Sequence, residues 1–190
     1  MDNDIKIFRP EQQAGSKPCD DLEALAAQTE QLRESGDLTR AKRLGRELAA
    51  LSAQSPELGE LARSFARSGA ALALTPEQEQ NLHVLMVFSG QQALRELLPR
   101  LLAEAAVTAM NNFLINRSKA FWDTISDGSA FTQYLLAAQK TSERDTSIGV
   151  AFARVCGQED NPDLRALGAA LFNTARELVI ARWEAGDAPS

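Results

Sequence analysis

An all-α fold, a bundle of about seven to eight helices, is predicted by three features of this sequence. The apolar residues, 44% of the chain, are dominated by Ala and Leu, with one Tyr, two Trp and few β-branched residues, a bias toward helix over strand. Apolar positions recur at helical spacing through most of the chain. Three tripeptides, Ser55-Pro56-Glu57, Thr75-Pro76-Glu77 and Asn161-Pro162-Asp163, read as helix starts. In each, the first side chain caps, the proline occupies a position that needs no N–H, and the acid meets the positive end of the helix dipole.

Residues 1–19 read as a flexible tail carrying one short apolar run, Ile5, Ile7 and Phe8. Asp20 and Glu23 form a capping box ahead of Leu22, Leu25, Ala26, Thr29 and Leu32, which predicts a helix over 21–34. Ser35-Gly36-Asp37 ends it and opens a second helix with Leu38, Ala41, Leu44, Leu48 and Leu51 inward. So short a connection predicts an antiparallel hairpin. A third helix starts at Ser55, carries Leu58, Leu61, Ala62 and Phe65, and ends near Ser68-Gly69. Residues 20–72 thus form an N-terminal helical hairpin region, 73–186 the main bundle, and 187–190 a second tail.

The main bundle opens with Thr75-Pro76-Glu77-Gln78, where a Thr-to-Gln capping box joins the proline signal. Leu82, Leu85 and Met86 face inward before a candidate break at Ser89-Gly90. Pro99 lies inside the long segment 91–122 and removes the hydrogen bond to the Arg95 carbonyl, so a bend or a new helix start is expected near residue 99. Beyond it Leu101, Leu102, Ala105, Ala106, Ala109, Met110, Phe113 and Leu114 sweep more than half the helix circumference. This long bent helix is expected to be central and the most enclosed. Asp127-Gly128 marks a turn, Phe131 and Tyr134 a short helix, and Ile148, Phe152 and Val155 another that ends at Gly157. The last helix runs from Asn161-Pro162 through Leu164, Leu167, Leu171, Leu178 and Trp183. Nine of the eleven aromatic residues lie after position 80, so the main core is assigned to residues 82–183. The N-terminal helices then dock on that core, pair with a second copy, or bind another protein.

The net charge of −6 opposes nucleic-acid binding, which needs a cationic footprint. No apolar run reaches the ~18–20 residues of a membrane span. The acidic start Met1-Asp2-Asn3-Asp4 and the two cysteines, Cys19 and Cys156, fit cytoplasmic residence rather than secretion or a disulfide framework. There is no Gly-rich phosphate loop, paired-cysteine metal motif or Gly-x-Ser-x-Gly elbow, and each proline-led helix start already holds its own acid. The expectation is a protein without enzymatic activity and without a cofactor. Gly36 and Ala41 have the small-residue spacing of tetratricopeptide units, but position 45 is Gly where a large residue is required and no second copy follows. A locally basic section, Arg40, Lys42, Arg43 and Arg46 with Arg63 and Arg67, reads first as a solvated face; its functional alternative is an interaction face for an acidic protein partner, carried by Arg40, Arg43, Arg46, Arg63 and Arg67.

The leading functional expectation is therefore protein–protein interaction, including self-association. The alternative is a small-molecule-binding bundle with its pocket beside the bent central helix. Asn111, Asn112 and Asn116 interrupt that helix although asparagine is a poor helix former. Their plain role is hydrogen bonding to neighbouring elements. Their functional one is a pocket of Asn112, Asn116, Trp122, Tyr134 and His83 for a small apolar ligand. His83, the one histidine, has no second ligand of the kind a metal site needs, and a structural role is the simpler account.

Overall fold

A computed structural model describes residues 18–54, 74–140 and 143–185. Among them are eight α-helices and no strand: α1 Pro18–Glu34, α2 Asp37–Gln54, α3 Pro76–Leu97, α4 Arg100–Arg117, α5 Lys119–Ser126, α6 Ser129–Ala138, α7 Arg144–Val155 and α8 Pro162–Ala185. The fold is an all-α multi-helix bundle. The third helix expected from Ser55-Pro56-Glu57, together with Arg63 and Arg67, lies outside the described residues, as do residues 1–17 of the N-terminal tail and the C-terminal tail 187–190.

The helix starts follow local chemistry. Thr75 accepts from the Gln78 N–H while the Gln78 side chain accepts from the Thr75 N–H, a complete capping box at α3. Asn161 Oδ1 accepts from the Asp163 and Leu164 N–H groups at α8. α1 begins at Pro18, ahead of Asp20, so Asp20 sits inside the helix rather than capping it. Gly36 and Gly128 make their turns at φ 83° and 75°, a region where a side chain is strained.

α3 is the axis of the bundle. Every residue from Val84 to Gln91 is buried, because α2, α4, α6, α7 and α8 all pack on it. The expectation that the helix after Pro99 is the most enclosed is thereby corrected. α4 keeps Glu104, Thr108, Asn112, Ile115 and Asn116 exposed, on the side of the helix away from its buried Ala103, Ala106, Val107 and Met110. Ser89-Gly90 is no break either. Gly90 lies in mid-helix, close to the ends of the Met110 and Leu48 side chains, and Ser89 is buried beside it. Pro99 instead produces the second expected alternative, a new start: α3 ends at Leu97 and α4 begins at Arg100.

Of the three fates open to the N-terminal helices, α2 takes the first. Ala41, Leu44, Leu48 and Ala49 are buried in one continuous core with residues of α3, α4, α6, α7 and α8. Gly45 is the reason α2 fits so closely, since a Cβ there would stand 2.0 Å from the Ala106 carbonyl oxygen of α4. α7 and α8 approach in the same way through Gly149, whose added Cβ would lie 2.2 Å from the Arg165 carbonyl oxygen. At the other end of the core Phe88 meets Phe131 edge-on at 5.4 Å and Tyr134 at 5.5 Å between ring centroids.

α1 is less committed. Leu32 packs against the core, whereas Leu22 is 66% and Leu25 46% exposed. No helix among the described residues is long and apolar enough to cross a membrane.

Candidate functional site

A surface groove of about 730 Å³ runs along α4, walled on one side by α2. Two parallel rows of α4 residues at four-residue spacing build it. Glu104, Thr108, Asn112 and Asn116 form the polar row, and Ala105, Ala109, Phe113 and Arg117 the apolar row with a basic end. Lys42 and Arg46, again four apart, project from α2. The close crossing at Gly45 sets this spacing, because a larger residue there would push α2 and its two cations away from α4.

The groove's charge is asymmetric. Lys42, Arg46 and Arg117 oppose only Glu104, and none of the three cations is held in an ion pair among the described residues. Its floor is Ala105, Ala109 and half-buried Phe113. The groove thus combines an apolar floor with a net cationic border.

Of the five residues proposed for a pocket, Asn112 and Asn116 line this groove together, both exposed. The other three lie elsewhere. Tyr134 is fully buried against Phe88, its hydroxyl without a hydrogen-bond partner among the described residues, and burial pushes its ionisation well above the usual tyrosine range. Trp122 is partly buried at the core margin. His83 is half-buried between α2 and α5. Its Nδ1 lies 2.7 Å from the Ser52 carbonyl oxygen and its ring meets Phe121 edge-on at 6.3 Å. Nδ1 therefore carries the proton and donates it, tying α3 to the end of α2. His83 borders a separate concavity of about 350 Å³ with Glu79, Gln80 and Thr124.

The proposed basic face divides as well. Arg46 lines the groove. Arg43 pairs with Glu47 at 3.8 Å, and Arg40 lies over the Trp183 ring at 4.0 Å, joining α2 to α8. Asn111, the third asparagine, accepts from Gln91 Nε2 at 2.8 Å and links α4 to α3, the plain role expected for the cluster.

Reading from sequence missed Glu104, Ala105 and Ala109 as surface-forming residues. The four-residue repetition of small and polar side chains was the available signal. It is masked by alanine, which serves equally in a core and on a shallow groove floor.

Cys156 sits half-buried after α7. Burial pushes its thiol up to about 11; the Asn81 side chain draws it back down in part, and the Glu77 carboxylate adds to the rise. It is a thiol held protonated, not an activated nucleophile. Among the described residues no group of three or more His, Cys, Asp or Glu side chains is placed to hold a metal ion.

Comparison with protein families, with curated proteins and with solved structures finds no match for this chain.

Proposed function

We propose that this protein acts by protein–protein interaction and self-associates, without catalysing a reaction. The observation that supports this reading is α1, whose Leu22 and Leu25 stand exposed one turn apart while only Leu32 is packed. Fully burying a leucine is worth ~1.5–3 kcal/mol, so an apolar stripe left in water favours a partner surface. The reading includes a reducing cytoplasmic setting, supported by a content of two cysteines, and excludes nucleic acid on the strength of the −6 net charge.

A second reading, a small apolar ligand with an anionic group, is supported by the placement of Asn112 and Asn116 beside Phe113 in one groove.

Sedimentation equilibrium of the full chain tests the first reading. The expected result is a dimer or larger species that becomes monomeric in Leu22→Glu/Leu25→Glu with unchanged helicity. A wild-type chain that stays monomeric at high micromolar concentration overturns self-association.

A further inference from the structure

We infer that the α2/α4 groove is the receptor for α1 of a second copy of this chain. This rests on the self-association proposed above and names the surface that carries it. Among the described residues the groove is lined by α2 and α4 alone, and no residue of α1 lines it, although α1 leads directly into α2 through Ser35-Gly36.

The two surfaces match in charge and in shape. At 100° per residue, Leu22, Leu25, Ala26, Thr29 and Leu32 form one stripe of α1, of which Leu32 packs on its own core while Leu22 and Leu25 stay exposed, and Glu23, Glu30 and Glu34 form its flank. Arg33, the one cation of α1, falls on the stripe side between Leu22 and Ala26 and is held by Glu30, which leaves Glu23 and Glu34 to meet the groove. Opposite them the groove offers an Ala105, Ala109 and Phe113 floor bordered by Lys42, Arg46 and Arg117. A helix laid in this groove puts leucines on the floor and carboxylates beside the cations. Glu104 lies on the far edge, where it disfavours the opposite orientation of the acidic flank.

A second copy also satisfies the stoichiometry of the surfaces. Each protomer has one α1 and one groove, so reciprocal insertion across a two-fold axis uses both and leaves neither open. A one-way insertion would leave one of each unfilled and continue into a chain of subunits.

The test is a charge exchange in full-length protein. One variant carries Glu23→Lys, Glu30→Lys and Glu34→Lys, so that its α1 and its groove are both basic. The other carries Lys42→Glu, Arg46→Glu and Arg117→Glu, so that both are acidic. All six positions are exposed or partly exposed, and circular dichroism verifies that both variants keep their helicity. Light scattering is expected to show each variant monomeric alone, with self-affinity reduced about tenfold or more by like-charge contact, and a heterodimer on mixing.

Dimers that persist in both separate variants overturn the groove as receptor while leaving self-association in place. A monomeric wild type overturns both. A monomeric wild type that is thermally stabilised by laurate, with the effect lost in the acidic-groove variant, reassigns the groove to a small amphipathic anion and also overturns the proposal.

Discussion

A Cβ built on Gly45 would stand 2.0 Å from the Ala106 carbonyl oxygen, so α2 and α4 cross with backbone against backbone. Nothing at that point can yield as the end of a flexible side chain would. Gly45→Ala is expected to force the helices apart and destabilise the protein by ~1–3 kcal/mol, outweighing the better helix propensity of alanine. The midpoint of urea unfolding measures it.

Gly90→Ala is expected to behave differently. The same added methyl would meet the terminal Cε of Met110 at 3.4 Å, a flexible thioether end that can move by a few tenths of an ångström. Alanine gains ~1 kcal/mol over glycine in a helix interior, which offsets the tighter contact. Urea unfolding of this variant should lie within about 1 kcal/mol of wild type.

Thr75→Ala removes the hydroxyl that accepts from Gln78 N–H and dismantles the capping box of the central helix. The expected loss is ~1 kcal/mol. For a chain of this size that corresponds to a fall of roughly 2–4 °C in Tm, readable by circular dichroism.

Stability is expected to fall as pH rises above about 9. Cys156 is raised to about 11 in the folded protein from an ordinary value near 9, and Tyr134 is raised in the same direction. Between these values the unfolded chain releases the Cys156 proton while the folded chain keeps it, so unfolding is favoured by increasing pH. Urea midpoints measured from pH 8 to pH 10.5 should decline, and Cys156→Ala should decline less steeply. Reaction of the folded thiol with a disulfide reagent at pH 8 should be slow for the same reason.

Arg40→Ala is expected to loosen the contact between α2 and α8. The guanidinium lies 4.0 Å from the Trp183 ring centroid, and such contacts contribute ~0.5–2 kcal/mol. Loss of the covering side chain should shift Trp183 emission to longer wavelength. The same measurement in Trp122→Phe isolates that signal.

The elements were legible where a local chemical signal exists. The capping box at Thr75, the Asn161 cap, the turn at Gly128 and the helix restart at Pro99 all depend on residues within four positions of one another. What was not legible depends on partners far away in sequence. Asn112 and Asn111 are adjacent and chemically identical, yet one borders the groove and the other binds Gln91 of α3. Gly45 reads as a defect in a repeat pattern until Ala106 is placed against it. Tyr134 and Asn112 are both amphipathic candidates for a pocket, and only the packing of α6 on α3 decides that the tyrosine faces the core.

The Gly45 crossing also has a bearing on how the protein is made. α2 is synthesised about 60 residues before the segment of α4 that covers it. At ~5–20 residues per second, its apolar seam waits roughly 3–12 s before the α4 residues that cover it are made. During that interval the chain presents an acidic α1 followed by a cationic α2.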